Sequence, residues 1–213
     1  GDHGESLGEQ GLWWDHVSVY PSVLHVPLIL RWPGGPAGLK IEEPMQHAGL
    51  GRSLLELAGL PARGFPGTNL LRYLKEDAPT PPRFAWGEDA HALSVTHDGW
   101  HLVMHLHVEC IKPELTTTDL LQDHALELFD LRADPACASD LSRSQPARTA
   151  ELGERLLSWI EGAQRTLAEV QHQETAGLEL LAALGYGGTG EGQTPHGADL
   201  EQVRALLAPF LER

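Results

Sequence analysis

The sequence predicts an α/β fold, in which an apolar strand near the amino end belongs to a covered sheet and a four-stranded antiparallel sheet packs on a long helix. The first observation is an apolar run over residues 26–32, which the turn residues 33–36 (Pro-Gly-Gly-Pro) close. The second is a series of four strand-like segments between residues 83 and 130. The third is an apolar stripe at helical spacing over residues 148–170.

Size and charge exclude two classes of protein. The chain has 213 residues, of which 41% are hydrophobic, which is enough for a real core. Thirty acidic residues against fifteen basic ones give a formal charge of −15, which repels phosphate backbones and argues against a nucleic-acid partner. No apolar run approaches the roughly 20 residues that a membrane span requires. Two cysteines without a C-x-x-C pair suggest neither a disulfide framework nor a structural zinc site.

The elements follow in order along the chain. Gly-rich, charged residues 1–16 predict a loop, and residues 47–60 predict an amphipathic helix that ends at Gly59. A short helical piece over residues 69–75 follows a Pro/Gly-rich stretch. The four predicted strands are residues 83–86, 92–96, 100–106 and 127–130, with His97, Asp98 and Gly99 as a hairpin turn. The chain therefore divides into an α/β part (1–82), a sheet-and-helix subdomain (83–172) and a helical tail (173–213).

Two sets of side chains carry structural expectations. His101, His105 and His107 alternate along one predicted strand and share a face, which we expect to be solvated rather than metal-binding. Trp13 and Trp14 are candidates for lining a substrate pocket, but aromatic residues before a strand more often belong to a core.

The candidate functional side chains lie mainly in the first residues of the chain. Asp2 and His3 offer a carboxylate and an imidazole to one divalent cation, and the neighbouring glycines let the backbone turn closely around it. As an isolated tripeptide, Asp-His-Gly is more typical of a surface turn. The run that follows, Gly-Asp-His-Gly-Glu-Ser-Leu-Gly-Glu-Gln-Gly over residues 1–11, strengthens the metal hypothesis. Glu5 and Glu9 are interpreted as supporting or structural acids, because no other feature of the chain suggests a glycosidase.

This run resembles the sulfatase family of the alkaline phosphatase superfamily, where S-D-H-G-E-x-L-G-E-H-G precedes a histidine or lysine and then an R/H-V-P-L-I strand. Further blocks are similar to the family's T-L-L-E-L-A-G-L-P helix (residues 53–61), its P-G-x-S-L-L turn (66–71) and its E-L-Y-D-L-x-x-D-P signature (127–135). The resemblance extends over residues 1 to about 172. It departs from the family at Gln10, at residues 48–52 and at Asp140.

The resemblance implies a fold, a metal and a reaction. The fold would be the carboxy-terminal part of an alkaline-phosphatase-like sheet, followed by the antiparallel subdomain. Asp2 and His3 match the family's two carboxy-terminal metal ligands, for calcium first and magnesium or zinc as alternatives. His16 matches the residue that contacts the sulfate ester, where it is suited to donating a proton. The substrate class implied is a small-molecule or glycan sulfate ester.

The resemblance also implies that the nucleophile lies elsewhere. The family converts a cysteine or serine in C/S-x-P-S-R to formylglycine, and neither Cys110 nor Cys137 stands in that motif. We therefore expect a carboxy-terminal fragment that lacks the nucleophile-bearing half and is inactive in isolation. Two alternatives stay open: a phosphonate or phosphodiester hydrolase or phosphoethanolamine transferase, and a non-catalytic remnant that acts as a binding module.

Overall fold

The computed structural model describes residues 1–16, 18–63, 67–74, 80–87, 92–105, 126–162 and 208. It is a mixed α/β structure, as predicted, with one two-stranded and one four-stranded antiparallel sheet. Two short 3-10 helices, Glu9–Gly11 and Leu70–Leu74, lie in the connections. The strands and α-helices are β1 (Ser6–Leu7), β2 (Trp13–Asp15), α1 (Pro21–Leu24), α2 (His47–Leu57), β3 (Arg83–Trp86), β4 (Ala92–His97), β5 (Trp100–His105), β6 (Leu126–Asp130) and α3 (residues 146–162).

The four-stranded sheet has the strand order β3-β4-β5-β6, so each strand pairs with its neighbour in the chain. The β4–β5 hairpin turns through Asp98 and Gly99, which have φ values of 49° and 79°. Two successive positive φ angles give the turn a twist that matches that of the strands, and aspartate followed by glycine is a favoured pair there. The predicted strands and hairpin turn are confirmed. His97 also belongs to β4, and residue 106 lies outside the described residues.

The sheet is covered on both faces, and each face has its own core. One face packs against α3, whose residues Leu152, Leu156 and Ile160 are completely buried at helical spacing. The other face is covered by residues that follow β2, chiefly Val19 and Tyr20. Alternation along each strand supplies both cores, because neighbouring side chains point to opposite faces. The amino-terminal segment therefore packs directly on the carboxy-terminal sheet.

Helix α2 ends as the sequence predicts, since Gly59 adopts a positive φ of 70° just after the last turn. Ser53 on this helix is buried, and its hydroxyl accepts a hydrogen bond from the backbone N–H of Leu70 at 2.7 Å. Gly49 lies against Thr68, where an added Cβ would come within 2.2 Å of the Thr68 carbonyl oxygen. The predicted short helix that follows is the 3-10 helix defined above.

The predicted strand over residues 26–32 is wrong. This segment forms no ladder within the described residues, and the side chain of Ile29 is 94% exposed. A strand is stable only when its N–H and C=O groups have partners, and apolar sequence alone does not supply them. The turn that closes the segment does form, with the Gly35 N–H donating to the Trp32 carbonyl at 3.1 Å.

Several predictions fall on residues that the structure does not describe. These are the end of α3 beyond residue 162, His107, Cys110 and nearly all of the tail. The three-part domain division stays a prediction. Among the described residues, no helix combines the length and apolar character required to cross a membrane.

Candidate functional site

Within the predicted loop of residues 1–16, residues 6–15 form a small hairpin. Strands β1 and β2 pair in antiparallel register, Ser6 opposite Asp15 and Leu7 opposite Trp13, with an irregularity between the two pairs. The connection is held by the Glu9 carboxylate, which accepts the Leu7 backbone N–H at 2.7 Å. Hydrogen bonds from the N–H groups of Glu9 and Leu7 lower the pKa of the Glu9 carboxyl group. Glu9 thus has a structural role, as the sequence interpretation proposed.

Gly4 fixes the position of the loop against α1. Its N–H donates to the Val23 carbonyl at 2.7 Å. A Cβ at this position would come 2.1 Å from the Ser22 carbonyl oxygen, so any side chain would push the loop away. The hydroxyl groups of Ser6 and Ser22 also lie 3.1 Å apart. The glycine between His3 and Glu5 is therefore required by a close backbone approach.

Three side chains with metal-binding atoms meet at the open end of the hairpin. One ligand atom from each of His3, Glu5 and His16 lies within 4.8 Å of the other two, and all three residues are exposed. His16 Nδ1 is 3.7 Å from Glu5 Oε2, and the rings of His3 and His16 stack with their centroids 4.5 Å apart. The structure thus brings together two residues of the predicted site, His3 and His16, and adds Glu5.

Asp2 is not a member of this group. Hydrogen bonds from the backbone N–H groups of Asp2 and His3, and then the charge of His3, lower the pKa of its carboxyl group. Asp2 is exposed and adjacent to the group in sequence. Its predicted role as a metal ligand stays a prediction.

The sequence interpretation gave Glu5 only a supporting role, although the sequence contains a pattern that indicates its position beside His3. His3 and Glu5 are two residues apart, and in extended chain such residues point to the same side. The hairpin register then places Glu5 beside His16, because Ser6 pairs with Asp15 one step further along. Finding this group from sequence required predicting the hairpin.

A buried polar cluster lies beneath the loop. The hydroxyl of Tyr20 donates to Glu127 Oε2, which is also 2.9 Å from His105 Nε2. Burial, followed by the charge of Glu127, raises the pKa of the Tyr20 hydroxyl, so the group keeps its proton. His101 Nε2 donates to the Val19 carbonyl at 3.0 Å, and His101 Nδ1 is 2.8 Å from the Thr96 hydroxyl.

The prediction of a solvated histidine face is therefore wrong for His101 and His105. Their exposed fractions are 1% and 4%, because Val19 and Tyr20 cover this face of the sheet. The alternation of the histidines was identified from the sequence, but the covering segment comes from more than 80 residues earlier in the chain. No local pattern indicates that contact.

The expectation that Trp13 and Trp14 belong to a core is also wrong. Their exposed fractions are 66% and 76%. Gln10, which replaces the histidine usual in the sulfatase pattern, donates from its side-chain nitrogen to the carbonyls of Ala136 and Cys137 at 2.7 and 2.9 Å. This departure from the pattern ties the hairpin to the turn after β6.

Comparison with curated proteins identifies a relative. Over 138 residues, 63% of this chain, the sequence is 31% identical to a sulfatase of Formosa agariphila. The match covers 24% of that protein, so the chain spans about a quarter of its relative's length. The resemblance to sulfatases that the motifs predict is confirmed. No family model matches the chain.

Comparison with solved structures supports the same fold. The chain is similar to BT4656, solved in complex with its substrate D-glucosamine-2-N,6-O-disulfate, with a TM-score of 0.51. The similarity covers 78% of this chain and 33% of that one, at 18% sequence identity. At this identity the likeness concerns the fold, and it confirms the predicted fold class.

Proposed function

Because the chain is homologous to a sulfatase and shares its fold class with a protein solved on a sulfated sugar, we propose that it contributes to the hydrolysis of sulfate esters. The observation that carries the proposal is the meeting of His3, Glu5 and His16 at one exposed point. These residues belong to the Asp-His-Gly-Glu segment and the histidine after it, on which the sulfatase resemblance rests.

His16 is the residue that we assign to the sulfate group. Hydrolysis of a sulfate monoester builds negative charge on the leaving oxygen and on the non-bridging oxygens, so a nearby hydrogen-bond donor stabilises the transition state. The His16 side chain is 52% exposed and can reach a ligand in solvent. An imidazole N–H can donate to the leaving oxygen, and His16 Nδ1 lies 3.7 Å from Glu5 Oε2.

The proposed substrate is a sulfate ester of a small molecule or a glycan. The net charge of −15 opposes an anionic substrate at long range, so attraction must come from local groups at the site. The substrate of BT4656 is a disulfated glucosamine. A sulfated sugar is therefore the first class of compound to test.

The nucleophile of the proposed reaction comes from polypeptide outside these 213 residues. They contain no C/S-x-P-S-R motif. Cys137 is 3% exposed, and burial, then the charges of Asp134 and Glu127, raise the pKa of its thiol to about 12. A buried, protonated thiol is a poor nucleophile. We propose that the isolated chain does not turn over sulfate esters.

A calcium ion fits the described residues poorly. Calcium takes about six to eight oxygen ligands. The group at the open end of the hairpin offers one carboxylate and two imidazoles, and Asp2 lies outside this group. Calcium bound by Asp2 and His3 stays a prediction that requires oxygen ligands from outside the described residues, and no step of the reaction is assigned to it.

A chimeric enzyme tests the proposed function. The matched part of the Formosa agariphila sulfatase would be replaced by this chain, and turnover of aryl and sugar sulfates measured beside aryl phosphates. We expect sulfate hydrolysis by the chimera, at least about 100-fold loss on His16→Gln, as for loss of one transition-state donor, and no loss on His25→Gln. His25 is an exposed histidine outside the group and serves as the matched control.

Three outcomes would contradict the proposal. Sulfate turnover by the isolated 213-residue chain would show that the nucleophile is within it. A chimera whose activity survives His16→Gln would remove His16 from the reaction. Preferential hydrolysis of phosphate esters would favour the phosphoryl-transfer alternative.

A further inference from the structure

We propose that Arg83 binds an oxyanion, such as a sulfate or carboxylate group, in a cavity between α2 and β3. The cavity has a volume of about 230 Å³. It is lined by residues at the start of α2, by the connection that contains the 3-10 helix Leu70–Leu74, and by the beginning of β3. None of the residues that meet at the open end of the hairpin lines it, so this is a second place in the fold.

The position of Arg83 in β3 brings its side chain to this cavity. The next residue, Phe84, stacks its ring on Trp159 of α3 with the centroids 5.0 Å apart. Neighbouring side chains of a strand point to opposite faces, so Arg83 leaves the sheet on the face away from α3. There it lines the cavity together with Tyr73, and the two side chains are close enough to interact electrostatically.

No carboxylate among the described residues balances the charge of Arg83, although acidic residues outnumber basic ones by thirty to fifteen. Arg52 in α2, for comparison, lies 3.1 Å from the carboxylate of Glu56. Arg83 is half-buried, and burial lowers the pKa of its guanidinium group, while the nearby Tyr73 raises it. A guanidinium group stays protonated in proteins, and a buried charge is costly unless it is paired. A bound anion would supply the missing partner.

The size and the polar groups of the cavity favour a small anion. Pockets that take a whole drug-sized molecule have about 300–1,000 Å³, and a cavity of about 230 Å³ is suited to a single acidic group. A guanidinium group presents its N–H donors in a planar fork that matches the oxygens of sulfate, phosphate or carboxylate. Thr68 and Tyr73 also line the cavity, and their hydroxyl groups can donate to the same anion.

The cavity lies next to the loop that carries the candidate site. His47 Nε2 is 3.0 Å from the Gly1 carbonyl oxygen, and the preceding residue, Gln46, lines the cavity. The Gln46 side chain donates to the Phe84 carbonyl at 2.7 Å, which joins the α2 side of the cavity to the β3 side. This position gives the oxyanion two sources. One is a second acidic group on a sulfate ester substrate, which rests on the proposed function, and the other is a free anion from solution.

Anion titration of the 213-residue chain tests the inference. Sodium sulfate would replace sodium chloride at constant ionic strength, while nuclear magnetic resonance follows the arginine Nε–H groups and the backbone N–H groups of Thr68 and Phe84. We expect a saturable shift of these signals. Arg83→Met should weaken sulfate binding at least about tenfold, the loss expected for a hydrogen bond to a charged group. Arg83→Lys keeps the charge but not the fork, and it should bind sulfate more weakly than the parent does.

Thermal unfolding separates an anion site from a structural ion pair. An arginine without a partner adds little to stability, so Arg83→Met should unfold in chloride at the temperature of the parent or above it. Sulfate stabilises proteins in general because it is excluded from their surface. The relevant quantity is therefore the further rise in unfolding temperature that sulfate gives the parent and not Arg83→Met. Arg132→Met, which removes an exposed arginine outside the cavity, should keep the full rise.

Three results would overturn the inference. Sulfate could cause no saturable shift, or it could bind Arg83→Met as tightly as the parent. Alternatively, Arg83→Met could unfold well below both the parent and Arg132→Met, which would show that Arg83 has a structural partner.

Kinetics of the chimeric enzyme distinguish the two sources of the oxyanion. If the anion is part of the substrate, Arg83→Met should raise KM for a disulfated glucosamine at least about tenfold and leave KM for an aryl monosulfate unchanged. If the anion comes from solution, neither KM changes, while the parent chain still binds sulfate through Arg83. Titration of the 213-residue chain requires no turnover, so failure of the proposed function would leave its result unaffected.

Discussion

The hydroxyl group of Tyr20 donates a hydrogen bond to the carboxylate of Glu127, although 107 residues separate them in the chain. His105 lies against the same carboxylate oxygen at 2.9 Å. Tyr20 follows the hairpin that precedes His16, and Glu127 belongs to β6, an outer strand of the four-stranded sheet. This contact therefore links the candidate site to the sheet through a buried polar group.

Replacement of Tyr20 by phenylalanine should destabilise the chain. The change removes one donor to a part-buried carboxylate while leaving the apolar contacts of the ring with Phe129. Loss of a hydrogen bond to a charged group in the interior costs about 1.5–3 kcal/mol. Urea denaturation would measure the free energy of unfolding. The matched control is Tyr73→Phe, which keeps the stacking of Arg72 on the ring and should change stability by less than about 0.5 kcal/mol.

His101 should make stability fall as the solution becomes acidic. Burial lowers the pKa of this histidine from 6.5 to about 4, with Arg83 lowering it further while the Val19 carbonyl and Glu127 raise it. The unfolded chain therefore binds more protons between pH 6.5 and 4, and stability declines as pH falls through this window. The full pKa difference between the unfolded and the folded chain corresponds to a loss of about 3 kcal/mol in the free energy of unfolding.

Nuclear magnetic resonance of the imidazole nitrogens would follow the His101 titration directly. We expect the ring to stay neutral at pH 5, with the hydrogen on Nε2 that donates to Val19. Exposed His25 provides the internal reference for a ring in contact with solvent. A His101 ring that is protonated at pH 6 would show that this face of the sheet is open to water.

Alanine in place of Gly4 should displace the loop from α1. The new Cβ would lie 2.1 Å from the Ser22 carbonyl oxygen, a contact that requires backbone movement. Overpacking of this kind costs about 1–3 kcal/mol, and the movement would also separate His3 from Glu5. Gly1→Ala is the control, because its Cβ makes only ordinary contacts of 3.5 Å. Thermal unfolding would detect the loss of stability, and a Gly4→Ala variant as stable as the parent would contradict the argument.

The thiol of Cys137 should resist modification in the folded chain. It is 3% exposed, and burial raises its pKa to about 12. In a Cys110→Ser background, a disulfide reagent at pH 8 should react with Cys137 slowly in buffer and rapidly in urea, because thiolate forms only when the site opens. Equal rates in both solvents would show that the turn after β6 is open in the native state.

The sequence predicts the local elements of this protein better than the contacts between them. Alternation, the Asp98–Gly99 turn and the stripe on α3 are short-range signals, and the strands and helix formed as expected. Asp140, a departure from the sulfatase pattern, accepts the N–H groups of Leu128 and Ser142 at 2.9 and 2.8 Å. The Asp140 carboxylate therefore satisfies two backbone N–H groups, and this departure from the sulfatase pattern leaves the fold intact.

Errors arose where distant segments decide the environment. His101 has the pattern of a solvent-facing strand residue, and only the packing of Val19 from far along the chain buries it. The metal-binding motif indicated Asp2 and His3, but the hairpin register determines which carboxylate reaches the imidazoles. Residues 26–32 are of types that favour a strand. A strand also requires a neighbouring strand whose N–H and C=O groups pair with its own, and the sequence of this segment does not indicate one.

The uncovered segment over residues 26–32 has a consequence for handling the protein at high concentration. Exposed apolar side chains on a segment whose backbone groups are not paired in a sheet favour alignment with a second copy, so we expect this segment to promote precipitation. Pro27 lacks an N–H and Arg31 adds a charge, and both oppose such stacking. Replacing either residue should therefore lower the concentration at which the chain begins to precipitate.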